Sequence, residues 1–304
     1  MHITGTLISG AVSAVTGTGS GGALLHSAFT KNSEDKNPKL ISYAGAFVFA
    51  AQMINFTIPL TDSSGHFAGG FLLACLLGGR TSYMIMSVIL TVQALFFGDG
   101  GLIALGCNIF NMGLIPCLII YPLISRFLKH SSSSFKENTT LIIGGWISVM
   151  AGASAVVVET FLSGVSEIQI TSFAANMLSV HAVIGIAEGL ITVVIITAVK
   201  RLKTVNYQKI FLGVVSIFTA GILSLYASTY PDGLEWSLEK IGYSASMGAD
   251  IFHVFFDEIQ SVTAVFHEYQ SIFDSAYFSF AGFAGIVIIF ILTFGIEKLK
   301  YREV

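Results

Sequence analysis

Long apolar segments are the feature that most constrains how this chain can fold. A helix that crosses a bilayer needs about 20 mainly apolar residues, and nine segments of roughly this kind follow one another here. They lie at 5–29, 40–58, 66–79, 82–97, 102–125, 140–162, 170–199, 209–228 and 276–296. Only 11% of the 304 residues are charged, whereas soluble domains are about 25% charged. The pattern excludes a soluble or disordered protein and predicts an all-α polytopic membrane protein.

The basic residues predict the orientation of the chain. With the N-terminus outside and the nine segments alternating, every lysine and arginine except Lys240 falls on one side of the membrane. Basic loops are retained in the cytoplasm, so the N-terminus is predicted outside and the C-terminus inside. We expect a multi-pass protein in the cytoplasmic (inner) membrane of a prokaryote. A net charge of −3 without a clustered basic face argues against a nucleic-acid partner.

The chain is predicted to divide near residue 205. Residues 1–204 hold the first seven spans, and residues 205–304 hold two further helices that flank an external segment at about 229–275. That segment is acidic, with Lys240 as its single basic residue, and the apolar residues within 251–266 have near-helical spacing. It is interpreted as a solvated external cap, with a cation-attracting surface or a gate over a binding site as the alternatives.

Met1 and His2 form a candidate chelating unit. A histidine at position two brings together the terminal amine, the amide nitrogen of residue 2 and its imidazole. Chelation through these three nitrogens closes a five-membered and a six-membered ring, and planar nitrogen ligation suits Ni²⁺ or Cu²⁺. From these two residues alone, an incidental histidine at a frayed terminus remains the alternative.

His66 is the candidate for the fourth nitrogen. It lies in the segment TDSSGHFAGG, at the outer end of a predicted span and therefore on the same side as the N-terminus. Nearby glycines allow a tight approach of the backbone. The alternative is an ordinary histidine at the membrane interface. Asn55, Ser64 and Asp99 are candidates for groups that orient the ligands.

His181 and Glu188 are polar residues deep in the seventh span. They are seven residues apart and so lie two turns apart on one helix face. Ionisable groups inside a membrane often serve transport, so this pair is a candidate for a proton relay or a second cation position. The alternative is a polar contact between helices. Asn108 and Asn111, three residues apart, are likewise expected to join an interior polar network.

Several catalytic patterns are missing from the sequence. It has no Walker motif, no Ser/His/Asp arrangement and no Cys/His zinc cluster. The glycine-rich run at 17–22 lacks the lysine of a phosphate loop and is interpreted as a helix-packing seam through Gly17 and Gly21. No enzymatic activity and no resident cofactor are therefore expected.

Four segments resemble a known family. They are AGAFVFAAQMINFTIPLTDSSGHFAGGFLLACLLG (44–78), VQALFFGDGGLIALGCNIFNMG (92–113), HAVIGIAEGLIT (181–192) and the N-terminal Met-His. Together they are similar to the CbiM/NikM family, the substrate-binding (S) membrane components of energy-coupling-factor transporters for cobalt and nickel. The stretch YPDGLEWSLEKIG (230–242) resembles the PDGLE domain. Residues 3–8 depart from the usual family pattern and contain no early proline.

This resemblance implies a seven-helix metal-binding block fused to a two-helix PDGLE block. It implies Met1, His2 and His66 as the metal ligands and Ni²⁺ or Co²⁺ as the transported ion. The implied partners are a transmembrane coupling (T) component and two cytoplasmic ABC-type ATPases, which would hydrolyse the ATP. Two alternatives stay open: a secondary cation transporter or channel that uses His181 and Glu188, and a non-transporting structural membrane subunit.

Overall fold

The protein is built from long helices with one small β-hairpin at one end. A computed structural model describes residues 2–30, 37–165, 168–243, 251–266 and 276–300. The helices of the first block are α1 (Gly10–Phe29), α2 (Ile41–Gln52), α3 (Gly70–Leu77), α4 (Gly79–Val92), α5 (Leu105–Ile109), α6 (Tyr121–Lys129), α7 (Ser134–Leu162) and α8 (Ile170–Arg201). Those of the second block are α9 (Val205–Gly221), α10 (Gly233–Lys240), α11 (Ile251–Thr263) and α12 (Ala276–Lys300).

The helical membrane architecture that the sequence predicts is confirmed. Among the described residues, four helices are long and apolar enough to cross a bilayer: Gly79–Phe97, Leu105–Lys129, Ser134–Leu162 and Ile170–Arg201. The first and second of these continue through wider π-helical turns, at Gln93–Phe97 and Phe110–Ile120. Each of the nine apolar segments contributes a helix. Large apolar side chains such as Val183, Leu190 and Val194 remain exposed on α8, as a lipid-facing surface requires.

Two segments differ in detail from the sequence expectation. In the second apolar segment, 40–58, the helix ends at Gln52. Residues 55–66 form an antiparallel hairpin of β1 (Asn55–Ile58) and β2 (Ser63–His66). The third contains only the eight-residue α3, between Gly69 (φ 77°) and Gly78 (φ 87°). Backbone with positive φ ends a right-handed helix and suits glycine. The hairpin thus takes residues that hydropathy alone assigns to spans.

Small residues allow the helices to approach closely. A Cβ atom added to Gly106 would lie 2.5 Å from the Cα atom of Gly17, so the predicted seam on α1 is used at Gly17, whereas Gly21 has open space beside it. On α8, a Cβ at Gly189 would lie 2.6 Å from the backbone oxygen of Ile142 on α7. The two longest helices therefore pack backbone against backbone.

The second block packs on the first through α2. Both α9 and α12 lie against α2. A Cβ atom at Gly285 of α12 would lie 2.1 Å from the ring of Phe49, and one at Gly282 would lie 3.1 Å from Met53. The second block is thus fitted against the first and is not held by a linker alone.

Candidate metal centre

The N-terminal segment runs into the protein and is anchored there. The side chains of Ile3 and Leu7 are fully buried. The backbone N–H of Ile3 donates to Oδ1 of Asn108 over 2.8 Å, and Nδ2 of Asn108 donates to the carbonyl of Ile3 over 3.2 Å. One side-chain amide thus makes the paired hydrogen bonds that a neighbouring strand would otherwise supply. Asn108 therefore holds the chain directly after His2.

His2 lies beside a tight turn. Its Nδ1 atom is 3.1 Å from Oδ1 of Asp99, and its side chain is 8% exposed. The next residue, Gly100, has a φ of 74°, and a Cβ atom there would lie 2.7 Å from Nδ2 of Asn108 and 3.4 Å from Cβ of His2. This turn needs glycine both for its backbone and for space. It places the Asp99 carboxylate directly against the imidazole.

His66 ends strand β2, and the backbone beyond it is fixed from two sides. Nε2 of Gln52 donates to the carbonyl of Ala68 over 2.8 Å. The backbone N–H groups of Ala68 and Gly69 each donate to a different carboxylate oxygen of Glu188, both over 2.8 Å. A buried carboxylate that accepts two amide protons has both its oxygens satisfied. Glu188 therefore holds the loop that carries His66.

The two histidines meet. Their rings are stacked, with centroids 5.2 Å apart and planes 13° from parallel. Burial lowers the pKa of His2, and it lowers the pKa of His66 well below its ordinary value of 6.5. Both rings are therefore neutral at pH 7, which is the form that binds a transition metal. Residues 2 and 66 come together as the sequence predicts.

Asp232 is a third member of the centre, and the sequence analysis did not single it out. Its Oδ1 atom accepts from the N–H groups of Leu234 and Glu235 and so caps α10, while Glu235 accepts from the N–H of Asp232. Its other oxygen, Oδ2, lies 3.8 Å from Nε2 of His66, which is too long for a hydrogen bond but close for a charge. Burial alone would raise the pKa of Asp232, but nearby positive charge and the hydrogen bond with Glu235 lower it below its usual range.

The hairpin itself positions Asp232. The N–H of Ser64 donates to the carbonyl of Pro231 over 2.8 Å, and the Ser64 hydroxyl donates to the carbonyl of Tyr230 over 2.8 Å. On the other strand, the N–H of Ser228 donates to the carbonyl of Asn55 over 2.7 Å. Asn55 and Ser64 therefore bind residues 228–231 and join the hairpin to the segment before Asp232.

Helix α11 contacts both the N-terminal segment and the turn that carries Asp99. Nε2 of His253 lies 3.0 Å from the carbonyl oxygens of both Gly5 and Ile8. Nε2 of Gln260 donates to the carbonyls of Ala94 and Gly100, over 3.1 and 2.9 Å. The helix predicted from the spacing of apolar residues within 251–266 thus bridges the N-terminal segment and the Asp99 turn.

The donor set is rich in nitrogen. Within the described ranges there is no group of three or more His, Cys, Asp and Glu side chains placed to hold a metal ion. Met1, the remaining predicted ligand, lies outside the described residues. The Nδ1 atom of His2, which the predicted chelate ring requires, faces Asp99. The arrangement therefore offers two buried imidazoles, to which main-chain nitrogen has to be added for a planar site.

His181 and Glu188 have separate hydrogen-bond partners in this structure. Glu188 is bonded to the loop after His66, whereas His181 places Nδ1 2.8 Å from the carbonyl of Met177, one turn earlier on its own helix. His181 nevertheless lines a small cavity together with His66. It is therefore nearer to the metal centre than its position in α8 alone suggests.

Solved structures define the class of protein. A crystal structure described as a transition metal transporter matches with a TM-score of 0.56 at 26% identity, covering 69% of this chain and 97% of that one. A truncated transition metal transporter matches with a TM-score of 0.55 at 27% identity, covering 66% and 99%. The fold is that of a multi-pass metal transport protein.

Family comparison is more specific. Residues 2–205 match CbiM, the cobalt uptake substrate-specific transmembrane region, and residues 208–302 match the PDGLE domain. The chain belongs to the CbiM family and carries a PDGLE domain after the CbiM region.

Two relatives illustrate the range of the family. A putative metal transport protein of Haloquadratum walsbyi is 37% identical over 158 residues, which are 52% of this chain and 70% of that protein. A putative fused nickel transport protein of Archaeoglobus fulgidus is 29% identical over 210 residues, which are 69% of this chain and 68% of that protein. By their names, these relatives are transport proteins and not enzymes.

Proposed function

We propose that the protein is the substrate-binding membrane component of an ATP-driven importer for Ni²⁺ or Co²⁺. The observation that carries this proposal is the stacked, buried pair of His2 and His66, each held by its own set of hydrogen bonds. Neutral imidazole is a preferred ligand of both ions. The terminal amine of Met1 and the amide of His2 supply the other nitrogens, and four nitrogens in one plane favour nickel slightly over cobalt.

Loading changes the surroundings of His2. In the structure its Nδ1 atom faces Asp99, and the two rings lie parallel. An ion in planar coordination by both imidazoles needs the nitrogen lone pairs of the two rings to point at one place. The His2 ring therefore turns away from Asp99 as the ion binds. Asp99 then stabilises the incoming positive charge nearby. Binding therefore couples the ion to the position of the N-terminal segment.

In this proposal, partner proteins supply the energy for uptake. The site is placed on the external face, with the N-terminus outside and the C-terminus inside. A transmembrane coupling protein and two cytoplasmic ABC-type ATPases use ATP to release the ion inward. The support is the family membership, together with the absence of an ATP-binding motif from this sequence. Deleting those ATPases from the host is expected to abolish uptake while the purified chain still binds the ion.

A direct test uses the terminal amine. The purified chain with its native N-terminus is loaded with Ni²⁺ and compared with a chain that carries a few residues before Met1. The control carries the same residues after Val304. We expect one bound ion with the absorption of planar nickel in the native and control chains, and none in the N-terminally extended chain. Equal binding by all three proteins would contradict the proposal.

The secondary-transporter alternative is not favoured by the geometry. Both carboxylate oxygens of Glu188 are engaged by backbone amides of the loop after His66. A coupling carboxylate must exchange its proton or ion in each cycle, and here that exchange would break the support of His66. Glu188 is therefore assigned to the architecture of the site.

A further inference from the structure

His181 has the hydrogen-bonding pattern of a metal-ligating histidine. Its Nδ1 atom lies 2.8 Å from the carbonyl oxygen of Met177. A carbonyl only accepts, so we infer that Nδ1 carries the proton and that Nε2 holds a lone pair. Metal-binding histidines usually donate their other N–H in this way, which fixes the tautomer. The residue is 0% exposed, and its Nε2 atom has no hydrogen-bond partner within the described part of the chain.

His181 lines a small cavity that His66 also lines. The cavity walls include Gly65, Ala68 and Gly233 in addition to the two histidines. Gly233, from the second block, closes the side next to His181, because a Cβ atom there would lie 2.8 Å from Cε1 of that ring. The residue before it, Asp232, places its carboxylate 3.8 Å from His66. The cavity thus combines two imidazoles with a neighbouring negative charge.

We propose that His181 forms a second, inner position for the transported metal ion, which the ion reaches from the His2–His66 pair. This inference rests on the proposed function, because it assumes that Ni²⁺ or Co²⁺ enters through the outer histidines. Imidazole suits both ions. Two side-chain nitrogens make a weak site, as a transfer position requires, because an ion on a path must be able to leave again. His66 is shared by the two positions and links them.

An inner metal position also accounts for the buried Nε2 atom of His181, which would otherwise be unfavourable. A buried acceptor without a partner lowers the stability of the folded state, and an apolar residue at 181 would avoid that loss. Glu188, two turns further along α8, is already occupied by backbone amides. His181 is therefore the group on this helix face whose lone pair is available to an ion that leaves His66.

The test separates binding from uptake. His181→Gln removes the imidazole lone pair but keeps an amide that can donate to Met177. Nickel binding is measured on the purified full chain, and uptake of radioactive nickel is measured in cells that hold the chain with its partners. We expect binding within about twofold of the wild type and uptake lower by about tenfold or more. The matched control is His130→Gln, because Nδ1 of His130 also lies close to a carbonyl four residues earlier, that of Arg126, at 2.7 Å and away from the site.

Two outcomes overturn the inner position. Uptake by His181→Gln within about twofold of the wild type would do so. Loss of equilibrium binding in a variant that melts like the wild type would also do so, because His181 would then belong to the outer site itself. A wild-type chain that binds no ion would instead overturn the proposed function.

A second pair of variants decides the matter if His181→Gln does not fold. Cysteine can ligate nickel through sulfur, whereas serine has a similar size but is a poor ligand. Uptake by His181→Cys that exceeds that of His181→Ser by about tenfold supports a ligand role. Equal uptake by the two variants overturns it.

Discussion

The side chain of Asn108 pairs with the backbone of Ile3 through two hydrogen bonds, of 2.8 and 3.2 Å. This amide on α5 therefore decides where the first predicted side-chain ligand lies, although it does not contact the imidazole through a hydrogen bond.

Replacing Asn108 should weaken metal binding. Asn108→Ala leaves a buried N–H and a buried carbonyl of Ile3 unpaired, which costs about 1–3 kcal/mol. The N-terminal segment is then released from its position, and we expect nickel affinity to fall by about tenfold or more. The control is Asn111→Ala, because Asn111 lies on the same helical segment as Asn108 but donates a hydrogen bond to Glu159 of α7. That variant should lose stability but keep its affinity, and equal affinity losses in the two variants would refute the role of Asn108.

Glu188 should act through His66. Glu188→Gln has one carbonyl oxygen for two N–H donors and turns its own amide toward the second of them. We expect nickel affinity to fall by about tenfold, with a lower melting temperature. Glu159→Gln is the comparison, because Glu159 is also buried but binds Asn111 and not the His66 loop. If both variants bind nickel like the wild type, the loop does not depend on Glu188.

Asp232 should contribute its charge to the site. Asparagine is as good a helix cap as aspartate, so Asp232→Asn keeps α10 and removes only the negative charge beside His66. Nickel affinity should decrease by about tenfold or more, within the roughly 10–100-fold range known for groups that support a metal ligand. Glu239→Gln, also on α10, controls for the overall loss of one external charge. An unchanged affinity in Asp232→Asn would remove this residue from the site.

The metal-free protein should become less stable as the pH falls from about 7.5 to 5.5. The pKa values of His2 and His66 are lowered in the folded state, so below 6.5 the unfolded chain binds more protons and stability is lost. Asp232 contributes nothing to the change in this window, because its pKa is below 3.8. Between pH 7.5 and pH 5.5, the melting temperature should fall less in His66→Gln than in the wild type. Equal drops would show that His66 is not the titrating group.

Gln260 should control the release of the ion. It bonds the carbonyls of Ala94 and Gly100 on either side of the Asp99 turn, so Gln260→Ala loosens α11 over the site. We expect nickel to dissociate about tenfold faster, since the change removes these two hydrogen bonds of about 1 kcal/mol each and a longer one, of 3.4 Å, from the N–H of Leu102 to Oε1 of Gln260. Gln208→Ala also removes two hydrogen bonds to carbonyls, those of Val199 and Leu202, away from the site. Dissociation rates that change equally in both variants would argue against a cover formed by α11.

The sequence predicted those features that depend only on the periodicity within one helix or on the side of the membrane where a residue lies. His2 and His66 could be paired because both lie at predicted external ends. The near-helical spacing within 251–266 predicted α11, because local periodicity specifies a helix.

The remaining features depend on contacts between distant parts of the chain. Asn108 appeared only as one of several interior amides, because nothing local shows that it faces Ile3. Asp232 appeared as part of an acidic external segment, although the resemblance of 230–242 to the PDGLE domain was a signal. Its approach to His66 depends on hydrogen bonds between residues 228–231 and the hairpin, and hydropathy had assigned parts of that hairpin to spans. Contacts between segments that are distant in the chain are not encoded in local pattern.

The docking of residues 228–231 onto the hairpin has a consequence for how the two blocks are joined. When two modules share one chain, their association becomes intramolecular, and short links give effective concentrations in the millimolar range. Asp232 and Gly233 then remain beside His66 and His181 whatever the abundance of the protein in the membrane. Separate polypeptides would have to find each other by lateral diffusion, whereas here the two blocks are covalently joined.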